Sequence, residues 1–205
     1  MAKFCKGEGH DYECTFIMKD KKHEKVLVNE CVIYVKKYFA LHDSTVVAIN
    51  ELIQIILDRN MTPGEGLDEW NDLNMLINNE LEREFIKTFE LLKSTLTEMK
   101  ECIEKMKRVK KIIEKRQIES TTRSVTTTML HSLNVFFNNT LPYFKRDYML
   151  KEKLHQTLIH VDGACENEIN RLQLMWKETP FLHLIFQKFD VNKFIVDCKQ
   201  FLGTS

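Results

Sequence analysis

Phe85, Leu92, Met99, Met106 and Ile113 recur every seven residues, and Phe89, Leu96 and Ile103 form a second series four positions behind the first. Two such series make an a/d seam over about four heptads, and a helix sets all of these side chains on one face. A strand could not, because an odd period sends successive members to opposite faces. The seam fades at Lys110 and Gln117, where the second series would continue in its last heptads. A helix over 80–117 with this seam needs other helices to bury it, from the same chain or from a partner. The rest of the chain can provide them. Six Gly and three Pro in 205 residues fall well below usual frequencies of about 7% and 5%, too few turn residues for a β-sandwich or a Gly-looped α/β enzyme. The expected fold class is all-α, a bundle of roughly five to seven helices built around a long heptad-repeat (coiled-coil) helix, with a short extended N-terminal arm.

The chain divides into four parts. In 1–22, Tyr12, Cys14, Phe16 and Met18 alternate, which suits a short strand or an ordered arm. In the helical region 23–118, Val28, Val32, Val35 and Phe39 fit one helical face. Asp43 or Ser44 can cap a second helix carrying Val46, Ile49, Ile53 and Ile56, and Thr62-Pro63-Gly64-Glu65-Gly66 makes a loop before the long helix. The Ser/Thr-rich stretch 119–128 disfavours helix and reads as a connector. In 129–205, Thr140-Leu141-Pro142 looks like a helix start for an element ending near Asp162-Gly163. Ile169, Leu172, Met175 and Trp176 mark the next helix, ended by Pro180, and Asp190 caps a last one with Phe194, Cys198 and Phe201.

Thirty basic residues balance thirty acidic ones, which argues against bulk coating of nucleic acid. One local exception stands out: seven of the twelve residues from Lys105 to Arg116 are basic. A helix C-terminus accounts for part of that run, since cations there oppose the macrodipole. Aromatic residues that would stack on bases are missing from it. Direct nucleic-acid contact is therefore the alternative reading; neutralising Lys107, Arg108, Lys110 and Lys111 would test it. No P-loop, G-x-G-x-x-G, G-x-S-x-G or H-E-x-x-H is present, so the chain reads as a non-enzyme. Cys5, His10, Cys14 and His23 lack the close pair that opens structural zinc sites, and Glu152-Lys153-Leu154-His155 is one Glu-x-x-His unit where a di-iron bundle needs two. Neither a metal nor a cofactor is expected. The six cysteines are scattered without short pairs, and neither a secretory leader nor a membrane span is read, so the expected location is nuclear, with some cytoplasmic presence.

Two stretches resemble the cyclin-dependent kinase 2-interacting protein family. The helix from Leu91 to Met106 is similar to that family's central coiled coil. Tyr143-Phe144-Lys145-Arg146, Leu150-Lys151, Leu158-Ile159-His160 and the ending Leu172-Gln173-Leu174-Met175-Trp176, then Pro180-Phe181, are similar to its closing segment, and Lys36-Lys37-Tyr38-Phe39-Ala40-Leu41 to an early Lys-Trp-x-x-Leu. The chain would be a divergent member: Leu133 stands where the family has Trp, and residues follow the Trp-Pro block. The resemblance implies a non-catalytic nuclear adaptor of DNA replication and repair. Its protein partners would be a cyclin-dependent kinase and a second replication kinase, ATR checkpoint components and a chromatin-associated assembly of AAA-type ATPases. It also suggests that Met175, Trp176, Pro180 and Phe181 bind a partner. The seam residues Leu92, Leu96, Met99 and Ile103 are further candidates. A structural coiled-coil subunit of a kinetochore or microtubule complex is the remaining alternative.

Overall fold

A second heptad pattern lies in the N-terminal quarter of the chain. Val28, Val35, Ile49 and Ile56 are buried seven or fourteen residues apart, and Cys31, Tyr38, Thr45 and Leu52 form a buried companion series. Only His42 and Thr45 are polar along it, and they hide the repeat at the point where the sequence suggests a break. The computed structural model describes residues 9–59, 71–121, 128–161 and 165–203, and in it the first of these stretches is one helix, α1 (Gly9–Arg59). Ser44 caps nothing: its hydroxyl donates back to the Ala40 carbonyl at 3.0 Å, and Thr45 does the same to His42 at 2.7 Å. A hydroxyl satisfied one turn back within its own helix leaves the helix free to continue. Residues 9–22, read as a strand or arm, are the helical start of α1, while residues 1–8 lie outside the described residues.

The long heptad helix is α2 (Asn71–Thr121), longer at its start than the 80–117 expected. Its seam is buried within the chain. Leu92, Leu96, Met99, Ile103, Met106 and Ile113 are sealed, and Phe85 and Phe89 are half-buried where the helix begins to project. The Thr62–Gly66 loop lies outside the described residues; of the connector read over 119–128, residues 119–121 are the helical end of α2 and Thr128 opens α3, while 122–127 lie outside the described residues. α3 (Thr128–Leu158) does not start at Pro142 but runs through it. Pro142 is on the solvent side, where water can reach a carbonyl that has lost its amide partner. Just upstream, Asn139 and Thr140 donate to the carbonyls of Val135 and Phe136 at 2.7 and 2.8 Å.

The last three helices together act as one. α4 (Glu166–Lys177), α5 (Pro180–Lys188) and α6 (Val191–Leu202) meet α1 in descending order: Trp176 at Thr45, Phe186 at Phe39, and the Leu202 carbonyl at Lys25. They form a broken fourth helix of an up-down-up-down bundle, antiparallel to both α1 and α3. The first break is at Thr179, which takes a left-handed φ of 37°, unusual for a β-branched residue; Pro180 opens α5 as its first residue, beyond ending α4. The second is at Phe189 and Asp190, where the Asp190 carboxylate accepts from the Lys193 amide at 2.8 Å, the cap read from the sequence. Gly203, at φ 77°, closes α6 with its amide on the carbonyls of Lys199 and Gln200.

The core runs the length of the bundle, from Phe194 stacked on Phe136 at 3.9 Å to the ring of Phe85 under the Arg59 guanidinium at 4.4 Å. By length and composition the 22–59 stretch of α1, with a mean hydropathy of 1.3 over its most apolar window, could cross a membrane. Its apolar character has another use in this fold, since Leu27, Val28, Val35, Ile49, Leu52 and Ile56 are all buried against the other helices.

Candidate functional site

Most of the candidate residues are inside the bundle. Leu92, Leu96, Met99 and Ile103 pack against helices of their own chain, so they offer nothing to a partner while the fold is intact. Trp176 is 0% exposed, and its indole N–H donates to the Thr45 hydroxyl, itself fully buried, at 3.1 Å. The resemblance suggested a tryptophan left partly open for a partner; the geometry makes it a core residue joining α4 to α1. Its neighbours separate from it. Met175 is 37% exposed on the other side of α4, Pro180 is exposed at the start of α5, and Phe181 is half-buried. Leu174, more open than Met175, extends the exposed face of α4.

The most unusual chemistry was not legible in the sequence. Asp147 and Lys151, four apart on α3, are both sealed from solvent. The Lys151 ammonium donates to one Asp147 oxygen at 2.6 Å, and the Tyr38 hydroxyl of α1 donates to the other at 2.8 Å and lies 3.0 Å from the Phe144 carbonyl. Burial pushes the Tyr38 phenol up, and the Asp147 carboxylate beside it adds to that. Burial pulls Lys151 down, opposed by the Asp147 charge. His42, one turn along α1, is lowered by burial first and then by Lys151, and its Nδ1 is buried with no hydrogen-bond partner. With Thr45 and Trp176 these side chains form a polar layer midway along the core. A spacing of four between Asp and Lys is that of an ordinary surface ion pair, so nothing in it flagged the burial. The only sequence signal was the pair of polar residues, His42 and Thr45, inside the α1 heptads.

Sealed as it is, this layer braces α1 against α3. Tyr38→Phe removes the hydroxyl and leaves one Asp147 oxygen short of a donor. The expected cost is about 1–3 kcal/mol, seen as a lower urea midpoint at unchanged slope. Equal midpoints for wild type and variant would mean the brace carries no net stability.

The weaker candidates fall elsewhere. Glu152 accepts from the Tyr148 hydroxyl at 2.5 Å within α3, and His155 stacks on Phe89 with ring centroids 4.1 Å apart, so only the His of the Glu-x-x-His unit packs α3 on α2. Of the possible zinc set, Cys5 lies outside the described residues, and only His23 has a described side chain, exposed on α1. Cys31, Cys102 and Cys198 are buried, with burial pushing the Cys198 thiol up to about 12, whereas Cys165 is exposed. Of the basic residues in Lys105–Arg116, Lys105, Arg108, Lys111 and Lys115 are exposed while Lys107, Lys110 and Arg116 are half-buried, and Lys105 lies 5.6 Å above the ring of Tyr34. The chain matches no protein-family model and no curated protein.

Proposed function

We propose that this chain is a non-catalytic helical adaptor of DNA replication and DNA-damage checkpoint assemblies, holding replication kinases and an AAA-type ATPase complex together on chromatin. The observation that supports an adaptor is the projecting start of α2. Arg59, the last residue of α1, bonds Glu82 at 2.6 Å and approaches the Leu81 carbonyl, so the turns of α2 before Leu81 reach past the end of α1 by about 15 Å. They carry Leu73, Met75, Leu76 and Ile77, all exposed. Adjacent exposed aliphatics on a helix anchored at one end suit a protein-binding surface, because apolar area left in water is stabilised when a partner covers it. The identity of the partners rests on the resemblance alone.

Affinity purification with mass spectrometry, run on wild type and on Leu76→Asp with Ile77→Asp, tests both parts. The reading expects replication kinases, checkpoint components or AAA-type ATPases in the wild-type list and their loss, by at least about tenfold, from the variant. A list without them removes the partner assignment. A list that contains them unchanged in the variant removes this surface.

A further inference from the structure

The basic run of α2 loses its simplest explanation once the helix boundaries are known. A macrodipole acts on charges within about the last turn of a helix. Here α2 continues to Thr121, more than a turn beyond Arg116, and its last turn holds no basic residue. Pairing with acids explains only part of the run. Lys107 holds Glu104 at 2.5 Å and Lys110 holds Glu114 at 3.2 Å, and both lysines are half-buried. Arg108, Lys111 and Lys115 are different: all three are exposed, and no ion pair forms to them among the described residues. Their spacing of three and four residues places them on one outward face, with steps of about 4.5 and 6 Å along the axis. Lys105 extends the row, and Glu101, a turn before it, marks where the positive face ends. Among the described side chains, the acids within a turn of these three residues, Glu104 and Glu114, are each already paired with another lysine, so this face keeps its charge in a chain that is neutral overall.

From this we infer that Arg108, Lys111 and Lys115, with Lys105 beside them, are a docking surface for the phosphate backbone of a nucleic-acid duplex. The spacing suits successive phosphates, and rigid presentation on a helix whose opposite face is locked into the core lowers the entropic cost of contact. A single strand fits less well. Single-strand sites stack bases on exposed aromatics, and between 105 and 118 α2 has none; Tyr34, the nearest ring, lies under Lys105. An acidic protein segment matches the charge, but protein interfaces seat apolar anchors at their centre, and on this part of α2 the exposed apolar residues are Ile112 and Ile118 alone. Contact through phosphates reads no sequence, so the surface would hold the protein on duplex without choosing a site.

Fluorescence anisotropy of the full chain tests this with three labelled probes: a DNA duplex of about 20 base pairs, one of its single strands, and polyglutamate. Duplex binding should weaken with salt at a log–log slope near −3, as for about three phosphates. The variant Arg108→Gln, Lys111→Gln, Lys115→Gln should bind at least about tenfold more weakly and with a slope close to zero. Arg108→Gln alone should have part of that effect. A control that removes the same charge elsewhere, Lys87→Gln, Lys153→Gln, Arg171→Gln, should bind like wild type. No retention of duplex at low salt, or equal losses in the variant and the control, overturns the proposal. Tighter binding of polyglutamate moves the surface to an acidic protein, and tighter binding of the single strand rejects the duplex. Either result also overturns it.

Discussion

Leu96→Asp should be the most damaging single substitution in this chain. Leu96 is a buried residue in the middle of the α2 seam, inside the apolar core of its own bundle. A carboxylate there has no partner, and either staying charged or taking up a proton costs free energy; at least about 3 kcal/mol is expected. For a chain of this size that lowers the melting midpoint by roughly 6–12 °C, measurable by circular dichroism. Leu91→Asp is the control, since Leu91 is exposed on the same helix five residues away; it should melt within about 1 °C of wild type. If both variants melt alike, the seam does not face the interior.

Trp176→Ala comes second, with an expected loss of about 3–5 kcal/mol. It removes the largest fully buried side chain, and with it the indole N–H that meets Thr45. Thr45 still has its own bond to the His42 carbonyl, so most of the loss is packing. Trp176→Phe separates the two contributions: it keeps a ring, drops the N–H, and should lose only about a third as much. A Trp176→Ala variant with wild-type stability and weakened partner binding would restore this residue to a surface role. Met175 and Leu174 face water on the same helix and are the substitutions that read partner binding without disturbing the core.

What the sequence made legible was whatever repeats or caps. The α2 seam, the all-helical class and the Asp190 cap each depend on a local rule, and each is present in the structure. Continuity was harder to read. Ser44 and Pro142 look like helix boundaries because such residues often are, yet a back-bonded hydroxyl and a proline facing solvent leave the helix intact. The heptads of α1 were missed because His42 and Thr45 interrupt the apolar series, although both point inward. Burial of Asp147 and Lys151 was beyond any local rule. Tyr38, the group that makes it tolerable, lies more than a hundred residues away in the chain. For the candidate residues the sequence identified the right elements but not their exposure: Leu92, Leu96, Met99, Ile103 and Trp176 turned out to be interior, and Met175 and Pro180 exterior.

Helices with a seven-residue repeat have an inherent ambiguity: slide one past another by a heptad, about 10 Å, and apolar meets apolar again. The polar layer removes that freedom. Shifting α3 by one repeat along α1 would carry Asp147 and Lys151 away from Tyr38, to Cys31 on one side, whose thiol is a weak donor, or to Thr45 on the other, whose hydroxyl is already spent on the His42 carbonyl. Each slipped alignment would leave a buried carboxylate a donor short and a tyrosine hydroxyl without its acceptor, a penalty of several kcal/mol against a total stability of about 5–15. The ion pair therefore works as an index mark on two otherwise repetitive rods. It leaves one alignment of α1 and α3 free of that penalty.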